Sequence, residues 1–527
     1  MAFLPAKYDN LLKNKNFHIL FVALIALTIR IYYLITTSGQ TMWWDEAEYM
    51  SAAKHWALGV PYQINEQRPP LFQLLGALFL KLGFEEIALK FILVALPSLA
   101  LVIATYYLGR ELFNHKIGII ASIGVTFVWS VIFWSTRFQP DFFSVTLQLI
   151  AFIFFWKLIK HENPRYAIYA GLFVALAFYF KISALLVPLS IALFILYYDG
   201  WQAMRKKNYW LILGAFIVGM IPFMIWQAIT FGNPLAFAPS YSGDFNIGRD
   251  LGWMTLDFFY SFLKLPIFLL FLAGLGITLF NLLISSDVLI KDKSLRKDPW
   301  IFSFIVLLVV SLFYIFYIKG VIEDRWVFLI IPFIFFFAGK PLNFIYNKIA
   351  LHSKVLSALF VLVCLTIFIL PQIDHSTALI NDKKLTYLPV KEVSLLIKDK
   401  SSSEDKVLSV SYTQTTAYAE REVITYAKMT KENFTRILNE ERPSFIIASI
   451  LEPHHPEWIV QQVQNEQGYR GVLFPYFNST IVISPQNQIV QYDLKSQMVY
   501  NGAIFTLIYP LDGNFGGLVA YKIDYNG

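Results

Sequence analysis

The stretch "FHILFVALIALTIRIYYLITT", residues 17–37, decides the class of this protein. Arg30 is its only charged residue, and its length matches the roughly 20 apolar residues that a helix needs to cross a bilayer. The whole chain is 57% hydrophobic and 15% charged, with a mean hydropathy of +0.55. Repeated runs of this kind predict an α-helical polytopic membrane protein rather than a soluble one.

We predict about 11 spans, with 13 as the upper bound, from runs of membrane-spanning length. They are 17–37, 88–109, 117–135, 141–159, 166–180, 183–198, 209–230, 264–285, 300–318, 326–339 and 354–371. The run "LFQLLGALFLKLG", residues 71–83, is too short to cross and contains Lys81, so we predict a helix lying at the membrane interface.

The distribution of basic residues predicts the orientation. The net charge is +7, and with a cytoplasmic N-terminus every inner loop of this span set is basic, as the positive-inside rule requires. The charge is therefore explained without a nucleic-acid partner. The long loop 38–87 and the C-terminus then face the outside. The chain has one cysteine, Cys364, which excludes disulfides and cysteine-ligated metal sites within it.

After about residue 371 the composition becomes mixed, and no run of spanning length follows. We therefore predict a transmembrane domain over 1–371 and a C-terminal extracytoplasmic α/β domain over 372–527. "DKVLSVSY" and "RPSFIIAS" are typical of buried strands, and "TKENFTRILNEE" of a helix capped by Thr430. "PEWIVQQVQNEQG" predicts a second helix ending at Gly468, and the tail after about 485 predicts β-hairpins.

Acidic residues follow the first span closely. "TMWWDEAEYM", residues 41–50, contains Asp45, Glu46 and Glu48 and no basic residue. Asp45 as an N-cap with Glu48 at N3 would explain one of these acids, since such a capping box begins many helices. It would explain neither Glu46 nor the position of the cluster next to the bilayer.

Further charged residues fall on the same predicted face. Asp141 opens the fourth span just after Arg137, Lys181 lies between two apolar runs, and Arg249 and Arg325 lie in later outer loops. A carboxylate can take a proton from an attacking hydroxyl, and cations can hold a phosphate and stabilise it as it leaves. This combination indicates group transfer from a lipid phosphate.

Four segments, in order over residues 17–340, resemble the GT-C glycosyltransferases, closest to the protein O-mannosyltransferase and aminoarabinose-transferase type. They are "WWDEAEYMSAAKHWALG" with "RPPLFQLLGALFLKLG", "STRFQPDFFSVTLQLIAFIFFW", "GLFVALAFYFKISALLVPLSIALFIL" and "EDRWVFLIIPFIFFFAG". The resemblance implies the GT-C fold and a sugar transfer, with inversion, from a polyprenyl-phosphate (or dolichyl-phosphate) donor to a hydroxyl of a protein, lipid or glycan acceptor.

The resemblance also implies roles for residues. Asp45 matches the catalytic base, with Glu46 beside it, and Asp141 matches a second acid that assists the acceptor or orients the site. Arg137, Lys181, Arg325 and Arg249 stand where cations that bind the donor phosphate are expected. Glu48, Tyr49, Glu66 and Arg68 are candidates for the substrate pocket, although "EQRPP" departs from the residues that some relatives have before Pro-Pro.

No cofactor is predicted with certainty. Some relatives bind a metal at this face, so a divalent metal remains an open alternative. His55 is the only outer-loop histidine before the C-terminal domain, and no set of metal ligands is predicted. The expected partners are the polyprenyl-phosphate sugar, the hydroxyl acceptor and membrane lipid.

Two other functions remain to be weighed. A transporter or flippase of a lipid-linked solute would place acids at mid-depth in the bundle, where the central spans have no Asp or Glu pair. A non-catalytic scaffold that presents the C-terminal domain would neither bind polyprenyl phosphate nor hydrolyse its sugar ester.

Overall fold

The structure is a computed structural model, and it describes residues 15–242, 256–284, 296–317, 323–465, 468–484, 489–510 and 517–525. Arg249, a predicted phosphate-binding residue, lies outside the described residues. The chain forms two compact units. The first unit comprises 1–38, 65–72 and 86–381, and the second comprises 39–64, 73–85 and 382–527.

The helices in chain order are α1 (Lys15–Thr36), α2 (Trp44–Leu58), α3 (Leu71–Lys81), α4 (Glu86–Leu112), α5 (His115–Phe127), α6 (Trp129–Trp134), α7 (Asp141–His161), α8 (Pro164–Phe178), α9 (Leu186–Asp199), α10 (Lys207–Phe231), α11 (Phe237–Ser242), α12 (Leu256–Ile284), α13 (Pro299–Tyr317), α14 (Ile331–His352), α15 (Lys354–Lys383), α16 (Leu388–Lys400), α17 (Tyr412–Ala419) and α18 (Lys431–Glu440). The strands are β1 (Lys406–Ser409), β2 (Glu422–Ile424), β3 (Phe445–Ser449), β4 (Gln461–Gln464), β5 (Arg470–Phe474), β6 (Ser479–Ile483), β7 (Ile489–Asp493), β8 (Gln497–Tyr500), β9 (Ala503–Tyr509) and β10 (Leu518–Tyr525).

The first unit is a multi-pass membrane bundle. Within the described residues, 8 helices are long and apolar enough to cross a membrane. The other three predicted spans coincide with α5, α8 and α13, which are shorter apolar helices. The predicted interfacial segment 71–83 is α3, which has 11 residues.

The predicted span 117–135 is broken into two helices. Val128, between α5 and α6, has φ −59° and ψ 126°, which interrupts the helical hydrogen bonds. Arg30 of α1 is fully buried there and donates from Nη1 to the carbonyl of Thr126 at 2.6 Å and from Nη2 to that of Val125 at 3.4 Å. Backbone carbonyls inside a membrane need such partners, so the only charged side chain of the first span completes the end of α5.

The second unit contains two sheets. The larger has the strand order β2-β1-β3-β10-β9-β8, in which β1 is parallel to β2 and β3 and the other pairs are antiparallel. The smaller has the order β4-β5-β6-β7 and is antiparallel throughout. The two predicted buried strands are β1 and β3. After residue 485, where hairpins were predicted, β9 pairs antiparallel with both β8 and β10. The predicted helix capped by Thr430 is α18, where Thr430 Oγ1 accepts from the Asn433 N–H at 3.3 Å.

The predicted second helix over "PEWIVQQVQNEQG" is wrong. Gln461–Gln464 instead form β4, an edge strand that pairs with β5 through the main chain. Ile459 and Val460 are both fully buried just before it. The buried side chains Ile459 and Val460 are neighbours in the sequence, and the four residues of β4 that follow are all exposed. The apolar residues therefore do not recur at the spacing that forms one face of a helix.

A carboxyl group is buried where β3 ends. Glu452 is 7% exposed, and its Oε1 accepts from Gln414 Nε2 at 3.1 Å. Burial raises the pKa of Glu452 from its ordinary 4.5 to about 7, although hydrogen bonds from Gln414 and Tyr387 oppose the shift. Because the folded pKa exceeds the unfolded one, this group's contribution to stability is complete below pH 4.5 and is lost as the pH rises towards 7.

We therefore expect the second unit of the full-length protein to unfold at a lower temperature at pH 8 than at pH 5. Glu452→Gln keeps a neutral side chain at both pH values, so the variant should lose most of this pH dependence. Tryptophan fluorescence during heating measures the transition in detergent, and the exposed Glu404→Gln serves as the control. An equal pH dependence in wild type and Glu452→Gln would refute the assignment.

Candidate active site

Three helix boundaries in the first unit bring charged side chains together. Asp141 is the first residue of α7 and follows Pro140, whose fixed φ suits a helix start. Lys181 follows α8 and has an extended backbone, φ −157° and ψ 132°. Arg325 lies in the 3-10 turn Asp324–Ile330 that leads into α14. Breaks in helical structure thus place these residues at one end of the bundle.

Asp141 binds both cations. Its Oδ1 accepts a hydrogen bond in an ion pair with Lys181 Nζ, and its Oδ2 lies 3.9 Å from Arg325 Nη1. The carboxyl side chain is 3% exposed, that of Arg325 is 6% exposed and that of Lys181 is 24% exposed. The half-buried Lys181 and the buried Arg325 thus share one carboxylate, and cations of this kind can also bind an anion through their N–H donors.

The orientation of Arg325 is fixed from other sides. Its guanidinium lies over the ring of Trp134, 4.8 Å from the ring centroid, and its Nε donates to Glu323 in an ion pair. Trp134 Nε1 in turn donates to Asp324 Oδ2 at 3.0 Å, which ties α6 to the turn that carries Arg325. A rigid guanidinium is suited to bidentate contacts with phosphate oxygens.

The three charged residues line a small pocket with Gln148, a residue that the sequence analysis missed. Ser144 Oγ donates to the Ala177 carbonyl at 3.0 Å and accepts from Gln148 Nε2 at 2.9 Å, which fixes the direction of the amide. Gln148 Oε1 is buried and has no hydrogen-bond partner within the described ranges. It is therefore an acceptor available to a bound hydroxyl or water. The only signal in the sequence was a single amide inside an apolar run.

Other predicted residues of the first unit lie away from these contacts. Arg137 is 1% exposed, and its guanidinium lies 5.5 Å from the ring centroid of Phe133. Arg137 is not among the residues lining the pocket of Asp141. Glu66 and Arg68 are half-buried, and the Glu66 carbonyl accepts from Gln227 Nε2 of α10 at 3.2 Å. Their roles in donor and substrate binding stay predictions.

The acids that follow the first span lie on α2, in the second unit. The helix begins at Trp44, so Asp45 is not its N-cap, and the interpretation with Glu48 at N3 is wrong. The acid at N3 is Glu46, whose Oε2 accepts from the Trp43 N–H at 2.8 Å. Glu46, Glu48 and Tyr49 are buried, whereas Asp45 is half-buried. The acid that bonds to the N-cap residue of α2 is therefore Glu46 and not Asp45.

No metal site is evident in the part of the chain that the structure describes. Within it, no group of three or more His, Cys, Asp and Glu side chains could hold a metal ion.

The central ion pair predicts a specific response to substitution. Asp141→Asn should lower the thermal stability, because breaking a buried ion pair costs about 3–5 kcal/mol. It leaves Lys181 and Arg325 without their shared carboxylate, so added polyprenyl phosphate should restore more stability to this variant than to wild type. Thermal unfolding in detergent, with and without the lipid phosphate, measures both effects.

Asp199→Asn is the matched control, since Asp199 Oδ2 pairs with Lys206 Nζ at 2.8 Å at the opposite end of α9 from Lys181. It should lose stability without preferential recovery by the lipid. If polyprenyl phosphate stabilises the two variants equally, the anion site does not lie at Asp141.

Known proteins resemble this chain in sequence over one segment and in fold over most of its length. The model of the dolichyl-phosphate-mannose-protein mannosyltransferase family matches residues 67–226, which include Asp141 and Lys181. The comparison with curated protein sequences gives no significant match.

Solved structures show the same fold at low identity. The crystal structure of ArnT from Cupriavidus metallidurans bound to undecaprenyl phosphate has a TM-score of 0.61 and 13% identity, covering 86% of this chain and 97% of that one. The oligosaccharyltransferase AglB from Archaeoglobus fulgidus, in complex with an inhibitory peptide and a dolichol-phosphate, has a TM-score of 0.54 and 12% identity, covering 92% and 75%. The family model covers residues 67–226 only, and the solved structures are similar over most of the chain, so the chain has the fold that ArnT and AglB share.

Proposed function

We propose that the protein is an inverting glycosyltransferase that moves a sugar from a polyprenyl-phosphate (or dolichyl-phosphate) donor to a hydroxyl acceptor at the outer membrane face. The observation that carries the proposal is the Asp141–Lys181–Arg325 cluster at helix ends in a fold shared with ArnT, whose structure contains undecaprenyl phosphate. The family description, which names a dolichyl-phosphate sugar, supports the same donor chemistry.

In this proposal the cations of the first unit hold the donor phosphate. Lys181 supplies a compact charge and Arg325 a planar fork, and together they stabilise the negative charge that develops as the phosphate leaves. Arg137 and Arg249 are proposed as additional phosphate-binding residues. Asp141 holds Lys181 and Arg325 in place and orients the acceptor.

Asp45 is proposed as the general base. It takes the proton of the acceptor hydroxyl, the acceptor oxygen forms a bond to the anomeric carbon, and the bond from that carbon to the phosphate oxygen breaks. The electron pair leaves with the polyprenyl phosphate, so one glycosidic bond replaces one phosphate ester and the anomeric configuration inverts. Glu46 stabilises the helix that carries Asp45, and Glu48, Tyr49, Glu66 and Arg68 contribute to the substrate pocket.

The outer location rests on the charge pattern. A cytoplasmic N-terminus puts the basic loops inside and the C-terminal domain outside. Both relatives and the family description name glycosyl transfer or its lipid carriers, and nothing in them supports the transporter alternative.

The orientation can be tested with single cysteines, since Cys364 is the only native one. In a Cys364→Ser background, a cysteine at the exposed Ser403 of the second unit should react with a membrane-impermeant maleimide in intact cells. A cysteine at the exposed Arg165, in the first turn of α8, should react only after the membrane is opened. The reverse pattern would overturn the proposed orientation.

Asp45→Asn should leave the protein folded and able to bind polyprenyl phosphate but lower sugar transfer by about 10²- to 10⁴-fold, the usual contribution of a general base. The assay incubates purified protein and membranes with a panel of radiolabelled polyprenyl-phosphate monosaccharides, including mannose, and follows the label. Glu404→Gln is the control for removal of an acidic charge. Transfer by Asp45→Asn near the wild-type rate would refute the base assignment, and no transfer from any donor by wild type would refute the activity.

A further inference from the structure

The loop helix that carries Asp45 belongs to the same compact unit as the C-terminal residues. Residues 39–64, which include α2, group with 382–527. The helix against which α2 packs is α17, which follows β1 in the larger sheet. The C-terminal residues therefore share a compact unit with a segment that precedes them by more than three hundred residues in the sequence.

Helix α17 connects β1 to β2, two neighbouring strands of the larger sheet. Strand β1 lies between β2 and β3, parallel to both, so the connections from β1 and β2 leave to opposite sides. In open α/β sheets, the carboxyl ends of the strands at such a reversal form the usual ligand-binding crevice. Here Gln414 of α17 and Glu452 after β3 are hydrogen-bonded to each other across these two strand ends.

Polar contacts fix α2 on α17. Ser51 Oγ donates to the Thr413 carbonyl at 3.0 Å, and Lys54 Nζ donates to the Ala417 carbonyl at 2.7 Å. Just before α2, the Met42 N–H donates to Tyr418 Oη at 2.9 Å. The bonds from Ser51 and Lys54 reach main-chain carbonyls of α17 that are one turn apart, so they define the register of the two helices.

The contact is completed by charge and by rings. Lys54 Nζ pairs with Glu420 Oε1 at 2.7 Å, and Lys398 of α16 pairs with the other oxygen of Glu420, also at 2.7 Å. The rings of Trp44 and Tyr412 meet edge to face with centroids 4.9 Å apart. Trp44 is the residue immediately before Asp45, so α2 contacts α17 at its start as well as near its end.

We propose that α17 is a positioning element for catalysis: Lys54 and Tyr418 hold α2 so that the Asp45 carboxylate meets the acceptor hydroxyl. The proposal rests on the proposed function, because it needs Asp45 as the base. It gives the C-terminal domain a role in the chemical step and makes Lys54 and Tyr418 positioning residues, which act through Asp45 without touching the substrate.

If α17 positions Asp45, disturbing its contacts with α2 should lower kcat and leave the KM for the donor nearly unchanged. A displacement of a catalytic group by about 1 Å can cost about 10²-fold in rate. Lys54→Met removes the ion pair and the bond to Ala417, and Tyr418→Phe removes only the hydroxyl that accepts from Met42. Both should lower kcat about tenfold or more and leave the KM for the donor within about twofold of wild type, since the donor phosphate is held by the first unit.

Lys398→Met is the matched control. It breaks the other ion pair of the same carboxylate, Glu420, but Lys398 lies on α16 and not on α2. It should keep kcat within about twofold of wild type. Lys54→Arg, which can still pair with Glu420 and donate to the Ala417 carbonyl, should recover most of the rate that Lys54→Met loses.

The assay uses the full-length protein and the labelled polyprenyl-phosphate sugar that wild type transfers fastest in the panel, with thermal unfolding as the test of folding. Equal loss of kcat in Lys54→Met and Lys398→Met, or a raised donor KM with unchanged kcat, would overturn the positioning role. Asp45→Asn is assayed alongside. If it is inactive while Lys54→Met and Tyr418→Phe match wild type, only the positioning proposal fails, whereas an active Asp45→Asn removes the base assignment itself.

Discussion

The carboxylate of Asp141, shared by Lys181 and Arg325, is the contact on which the account of the first unit depends. Two cations at the end of a membrane bundle repel each other and are costly to bury unless a carboxylate lies between them. Asp141 satisfies that requirement for both cations, and Glu323 also pairs with Arg325, so the proposed anion binding depends on the N–H donors of Lys181 and Arg325 and not on an excess of positive charge. A phosphate joined to a polyprenyl tail is an anion that stays at the bilayer surface, and this explains why such residues occur at helix ends.

The helices are interrupted where these residues are needed. Pro140 starts α7 at Asp141, the extended backbone at Lys181 separates α8 from the turn before α9, and a 3-10 turn carries Arg325 into α14. Another interruption lies at Val128, where Arg30 supplies hydrogen bonds to the carbonyls at the end of α5. There the carbonyls of Val125 and Thr126 need partners inside a membrane, and the guanidinium of Arg30 provides them.

The sequence was sufficient for features that depend on local pattern. Apolar runs predicted the membrane helices, and short apolar segments in a mixed sequence predicted the buried strands β1 and β3. Patterns could not predict tertiary partners. Next to the break at Val128, the carbonyls of α5 accept from Arg30 of another helix, and "QQVQ" pairs with β5 through the main chain.

The same limit applied at the site. Charge and resemblance selected Asp141, Lys181 and Arg325, which the structure brings together, but local spacing gave the cap of α2 to Asp45 and Glu48 instead of Glu46. Gln148 was missed because a single amide in a span has no pattern of its own, and only the structure shows that it lines the pocket of Asp141 and bonds to Ser144.

The central claim, that the Asp141 cluster is the binding site of the donor phosphate, is tested most directly by an experimental structure of the protein with bound polyprenyl phosphate. The account predicts phosphate oxygens at charge-assisted hydrogen-bond distance, about 2.7–2.9 Å, from Lys181 Nζ and the guanidinium of Arg325. A phosphate bound elsewhere in the first unit, with none of its oxygens near Lys181 Nζ or the guanidinium of Arg325, would contradict it.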